Sequence, residues 1–298
     1  MSVAFTPELQ LRVRRDEPMA KHTSWRVGGP ADMFFTPRDR LELASFLRSL
    51  PRTTPVYWVG LGSNLLVRDG GLRGAVICMH GAFTRLDRRA QQRVYCEAGV
   101  PCTRLARQCG KWEFGQAEFF AGIPGTFGGA LAMNAGAYGG ETWSFVRSVE
   151  LIDREGNLHT RAAAEFSVGY RHVAGPVASE WFLAAELEFG PRSDREVTTV
   201  RELSERRRQT QPLGEWSCGS VFTNPPGDHA ARLIEAAGLK GFRIGGAVVS
   251  EKHANFILNE KSASARDLEA LITHVQQSVQ QVHGVALVPE VRIVGEAL

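Results

Sequence analysis

Seven glycines fall within the twenty residues AGIPGTFGGALAMNAGAYGG (121–140), alongside Pro124, Thr126 and Asn134. Glycine loses more backbone freedom on ordering than any other residue, so a stretch this dense is a poor choice for a mere connection. Small residues at every second or third place let a flat or phosphorylated ligand lie directly against the main chain. Tight packing of a helix start on a sheet would be a purely structural use of the same composition. A second stretch, GLGSN (60–64), follows the strand-like VYWVG. Gly60 and Gly62 can turn main-chain N–H groups toward an anion, and Ser63 and Asn64 add short polar groups to such a nest. Leu65 stands where a dinucleotide fingerprint needs its third glycine, and no Gly-Lys-Ser/Thr follows. Neither standard phosphate loop is therefore present. Alone, GLGSN reads as a strand-end turn. Two such stretches in one chain point to a nucleotide or cofactor cradle.

A chain of 298 residues is too long for one hydrophobic core and long enough for two or three compact units. Hydrophobic residues make up 43% and charged residues 22%, which fits a soluble globular protein, and a net charge of +3 gives no sign of a nucleic-acid-binding surface. The N-terminal MSVAFTPELQLRVRRDEP scatters its charges and lacks the apolar run of a signal peptide. No stretch approaches the ~20 apolar residues of a membrane span. Cys78, Cys96, Cys102, Cys109 and Cys218 are odd in number and contain no C-x-x-C pair, and the histidines show no H-E-x-x-H spacing. A reducing cytoplasm and no metal are expected.

Leu43, Phe46, Leu47 and Leu50 recur at helical spacing within 38–50, and Pro51 stops that helix. Strands are expected at VYWVG, GAVICM, RVYCEAG and VELIDREGNLHT, the last a hairpin turning at Glu155 and Gly156. WFLAAELEFG alternates Trp181, Leu183, Ala185, Leu187 and Phe189. A helix is expected over 197–211, then one at HAARLIEAA capped by Asp228, with Gly238 past its end. Ser264 and Asp267 open a long helix that turns Leu268, Leu271, Ile272, Val275, Val279 and Val282 inward and ends at Gly284. VALVPEVRIVG closes the chain as a strand. Strands and helices mix without βαβ alternation, so the fold class is α+β.

CGSVFTNPPG (218–227) sets a thiol and a hydroxyl two residues apart among glycines and a Pro-Pro turn. Cys218 is the more reactive by nature, although a small buried cysteine is the commoner fate of that residue type. With GLGSN and IPGTFGGALAMNAGAYG, the chain resembles vanillyl-alcohol-oxidase-type flavoproteins. YRHV, CGSVFTNP, LIEAAGLKGFRIGGAVVSEKHANFILN and PEVRIVG narrow the resemblance, which runs from Thr23 to Gly295, to the UDP-N-acetylenolpyruvoylglucosamine reductase family, in the form lacking an extra substrate-covering insertion.

The resemblance implies a two-subdomain FAD-binding fold (1–54 and 55–192) and a C-terminal α+β substrate domain (193–298). It implies FAD as cofactor, NADPH as co-substrate and UDP-N-acetylglucosamine enolpyruvate as substrate, with no nucleic acid, membrane or obligate protein partner. Hydride would pass from flavin N5 to the vinyl carbon, and the adjacent carbon must then gain a proton. Ser220 matches the family's proton donor, while Arg171 and Glu290 match its other two catalytic positions. A guanidinium fork suits the substrate's planar carboxylate. Gly60, Leu61, Gly62, Ser63, Asn64, Pro124, Gly125, Thr126, Gly129, Asn134 and Gly136 would hold the cofactor. Tyr170, Asn224, His253 and Arg292 match positions lining the substrate site. Val173, Thr210 and Thr223 depart from the family pattern, the last two where basic residues are common, and Lys252 or Arg292 would compensate. Two other functions stand beside this one: a hydroxy-acid or alcohol oxidase or dehydrogenase on the same FAD domain, and a non-catalytic flavin- or nucleotide-binding module.

Overall fold

The computed structural model describes residues 5–191, 200–260 and 262–298. The chain divides into two compact units, each assembled from three stretches: Met1–Arg14, Phe34–Gly60 and Val76–Arg206 in the first, Arg15–Met33, Leu61–Ala75 and Arg207–Leu298 in the second. Strands mix with helices in an α+β arrangement. Arg14–Pro18, Pro30–Phe35, Leu72–Cys78 and Val56–Val59 form, in that order, a four-stranded sheet.

The first unit is built on a five-stranded antiparallel sheet of order Leu158–Ala162, Val146–Asp153, Glu180–Glu188, Arg93–Glu97, Leu86–Arg88. Glycine lets the short helix Phe127–Met133 press onto this sheet, because a Cβ on Gly128 would lie 2.8 Å from the Ala98 Cβ. The main chain locks the contact: Phe127 N–H donates to Val100 O and Gly128 N–H to Ala98 O, both at 2.8 Å. Phe120, Phe127, Val94, Leu151 and Leu187 form the core between them; Phe119 is tilted and Phe189 edge-on against Phe120, and Phe145 packs on both Phe119 and Phe189.

The second unit packs the helix Ala265–His283 on an antiparallel sheet of order Trp216–Ser217, Ile257–Asn259, Ala247–Val249, Arg243–Ile244. Ser264 and Asp267 form the expected capping box, and Gly284 closes the helix in the left-handed region at φ 69°. Leu268, Leu271, Ile272, Val275 and Val279 are buried as their spacing requires. Val282 is 59% exposed, since the helix's last turn runs past the core.

Two other local expectations need correction. The helix Ala230–Ala236 has His229 at its N-cap; Asp228 instead accepts the His229 N–H and pairs with Arg232, and the Ala230 N–H goes to Asn224 Oδ1. Of the closing segment only Arg292–Val294 is a strand, parallel to Leu65–Val67. The helix expected over 197–211 is described from Val200 to Thr210, and its start lies outside the described residues.

Candidate active site

Within the first unit Gly60 meets the second glycine-dense stretch. A Cβ on Gly60 would lie 2.2 Å from Thr126 Oγ1, so the end of the Val56–Val59 strand abuts the start of the Phe127–Met133 helix. Thr126 is buried, and Gly125 takes φ +121°, open to glycine alone at little cost. Pro124 is exposed beside it. Gly136 sits in a tight hairpin, where a Cβ would meet Gly140 O at 2.4 Å. Gly129 differs from all of these. It is exposed inside a helix, and the nearest atom to an added Cβ is Thr126 Oγ1 at 3.9 Å. Packing within the protein does not require glycine there, and glycine in a helix interior costs about 1 kcal/mol relative to alanine. An open face lined by exposed main chain fits a cofactor lying against it.

Tyr170 and Arg171 form the two-residue turn between the strands Ser167–Gly169 and His172–Ala174. Arg171 has φ +54°, uncommon for a residue with a side chain. Its guanidinium crosses the Tyr170 ring at 5.0 Å from the centroid and donates to Asn134 O at 3.3 Å and Gly136 O at 3.1 Å. Those carbonyls lie just past a helix C-terminus, which favours a cation. Asn134 itself is buried, and both its amide hydrogens are taken by protein: Nδ2 donates to Glu141 Oε2 at 3.0 Å and Gly169 O at 3.1 Å. That engagement removes its amide donors from the groups free to hold a cofactor.

In the second unit three motifs far apart in sequence converge. Asn64 Nδ2 donates to Glu290 O at 3.1 Å, and Arg292 N–H donates to Asn64 O at 3.1 Å. Glu290 N–H donates to Val221 O at 2.8 Å, and Thr223 N–H to Val288 O at 3.0 Å. The residue after Ser220 is thereby tied to Glu290, and Glu290 to the GLGSN loop. Within that loop Gly62 has φ +62°, and a Cβ there would strike His22 O at 2.0 Å; Leu61 and Ser63 flank it.

Gly219, at φ +73°, separates the thiol from the hydroxyl. Cys218 is buried, with Sγ 3.6 Å from Gly62 O and 3.5 Å from Leu65 O, and burial pushes its thiol up to about 12. It is a core group with no thiolate at neutral pH. Ser220 is half-buried. Asn255 holds this segment, accepting the Phe222 N–H at 2.9 Å on Oδ1 and donating to Phe222 O at 2.8 Å from Nδ2. Reading the sequence missed Asn255, although it stands inside the HANF run.

The remaining expected positions are also in this unit. Asn224 Oδ1 accepts the first N–H of the Ala230–Ala236 helix. His253 stacks edge-on against Phe256, its Nδ1 is buried without a hydrogen-bond partner, and burial holds its pKa below the usual imidazole value. Arg292 is exposed. Lys252 Nζ donates to Arg208 O at 2.6 Å, near the end of the Val200–Thr210 helix, and so caps a helix there. Among the described residues no three metal-ligating side chains cluster, and no helix is long and apolar enough to cross a membrane.

Two family models match successive parts of the chain. A model of the FAD binding domain matches residues 31–161, and a model of the UDP-N-acetylenolpyruvoylglucosamine reductase C-terminal domain matches residues 211–294. The chain is 59% identical over 286 residues to a UDP-N-acetylenolpyruvoylglucosamine reductase of Alkalilimnicola ehrlichii, covering 96% of this chain and 95% of the relative. It is 57% identical over 284 residues to that of Methylococcus capsulatus, covering 94% and 92%. The crystal structure of the UDP-N-acetylenolpyruvylglucosamine reductase from Thermus caldophilus matches with a TM-score of 0.80 at 32% identity, over 95% of this chain and 98% of that one.

Proposed function

Since the chain belongs to the UDP-N-acetylenolpyruvoylglucosamine reductase family, we propose that it is an FAD-containing, NADPH-dependent oxidoreductase of the cytoplasm. It reduces the enolpyruvyl ether of UDP-N-acetylglucosamine enolpyruvate to UDP-N-acetylmuramate, a step of peptidoglycan synthesis. FAD, when bound, supplies the hydride. Gly60, Leu61, Gly62, Ser63 and Asn64 of the first stretch and Pro124, Gly125, Thr126, Gly129 and Gly136 of the second would hold it.

The chain's own groups then have two tasks. Charge that builds on the substrate carboxylate must be met, and the carbon next to it must receive a proton on one face. Arg171 meets the carboxylate through its planar fork. The Ser220 hydroxyl donates the proton; a hydroxyl is a weak acid, so nearby cations must offset the alkoxide until solvent returns a proton. Glu290 polarises this centre or relays that proton. Tyr170, Asn224, His253 and Arg292 line the site of the UDP-sugar. The observation that carries this reading is the hydrogen-bonded convergence of Asn64, the Ser220–Val221 segment and Glu290 within one unit.

The test is a visible spectrum. The purified protein should be yellow, lose its flavin absorbance on anaerobic addition of NADPH, and regain it with UDP-N-acetylglucosamine enolpyruvate. A protein without FAD that cannot be reconstituted, or reduced flavin indifferent to the enolpyruvyl sugar, would sink the proposal.

A further inference from the structure

We infer that Asn134 is a positioning residue for Arg171, one side chain holding the turn that carries the guanidinium while its own carbonyl holds the guanidinium itself. The inference rests on the role of Arg171 proposed above. Asn134 lies at the C-cap of the helix Phe127–Met133 with φ 46° and ψ 53°, a left-handed conformation that asparagine adopts more readily than most residues. Its Nδ2 donates to Gly169 O at 3.1 Å, one residue before the Tyr170-Arg171 turn, and to Glu141 Oε2 at 3.0 Å. Its Oδ1 accepts the Trp143 N–H at 3.0 Å, and its main-chain oxygen accepts from Arg171 Nη1 at 3.3 Å. Arg171 is thus gripped at both ends, through the backbone just before its turn and through its headgroup.

This grip has a task, because the turn is strained. Arg171 sits at φ +54°, where a side chain is disfavoured, and short hairpins relax when their anchors are removed. A shift of about 1 Å in a group that orients a substrate lowers turnover by roughly a hundredfold. The position has few chemical solutions. Aspartate would keep the shape but lose both donors and set a second carboxylate beside Glu141. Glycine would keep the left-handed backbone but lose the clamp on Gly169.

The experiment is a double-mutant cycle on the flavin-loaded protein, with reduction by NADPH and reoxidation by UDP-N-acetylglucosamine enolpyruvate measured separately. In Asn134→Gly, reoxidation should slow about 10- to 100-fold, while flavin content and reduction stay within about twofold of wild type. In an Arg171→Ala background the same change should add less than about twofold, because its effect passes through Arg171. Asn134→Asp, which keeps the side-chain shape, should give the same selective loss if the glycine variant folds poorly. Additive losses in the cycle, equal losses in both half-reactions, or unchanged reoxidation would each overturn the inference. Failure of the wild type to be reoxidised by the enolpyruvyl sugar would instead overturn the proposed function.

Discussion

Cys218 and Ser220 lie two positions apart and meet opposite fates. The left-handed Gly219 between them leaves the thiol against two buried carbonyls and the hydroxyl half-exposed. Raised to about 12 by burial, the thiol stays protonated at neutral pH. Serine in its place retains a donor for the same carbonyls. Cys218→Ser should therefore leave both half-reactions within about threefold of wild type, since no step uses a thiolate. Ser220→Ala removes the proposed acid, and losing a positioned proton donor lowers a rate by about 10²- to 10⁴-fold. Flavin reduction by NADPH should stay near wild type in that variant while reoxidation by the enolpyruvyl sugar collapses. Anaerobic stopped-flow absorbance separates the two steps, and a comparable loss in both would rule Ser220 out as the donor.

Among the elements, the helix Phe127–Met133 separates glycines of two kinds. Gly128 is needed by the fold, because its Cβ would collide with Ala98; Gly129 is not, because its Cβ would meet only an ordinary contact, Thr126 Oγ1 at 3.9 Å. Gly129→Ala should raise the stability of the flavin-free protein by about 1 kcal/mol through helix propensity. It should also weaken FAD binding, by about tenfold or more, because the methyl group would occupy the face proposed to hold the cofactor. Thermal melts of the apo-protein and a flavin titration check the two signs, and stronger or unchanged FAD binding would count against the cradle. The sequence pattern carried the glycine density that marks this helix, and the capping box and Gly284 that bound the long helix. It could not distinguish Gly128 from Gly129, since that depends on where Ala98 lies. Nor could it show that Asn134 faces Gly169, or that Asn64 reaches Glu290 across 226 positions. Periodicity reports one element's faces, and pairings between distant segments leave no such trace. The resemblance to a known family supplied the residue roles that patterning could not.

Taken over the whole molecule, ionisable groups bound the pH range in which the fold is most stable. Burial lowers the pKa of His253 beneath the ordinary imidazole value, so the fold favours the neutral ring. Its contribution is complete above about pH 6.5 and is lost as the pH falls below that value. Further down, Asp267 is held low by the Ser264 N–H, Glu269 by Arg68 and Glu180 by Arg161. These carboxylates stabilise the fold fully above their ordinary range, and that stabilisation begins to be lost as the pH drops below about 4. At the alkaline end the sign reverses. Burial pushes Cys102, Cys109 and Cys218 up to about 12 and Cys96 well above its usual value. Their stabilisation is present below the ordinary thiol pKa of about 8.5 and is lost as the pH rises past it, because the unfolded chain releases those protons first. Urea midpoints measured from pH 3.5 to 10 should therefore form a plateau between about pH 6.5 and 8.5, with a shallow fall on the acid side, a steeper one near pH 4 and a separate alkaline decline. His253→Gln should flatten only the shallow fall that begins below about pH 6.5, and Cys218→Ser should lessen only the alkaline decline. An acid shoulder that survives in His253→Gln would show that some other group sets it.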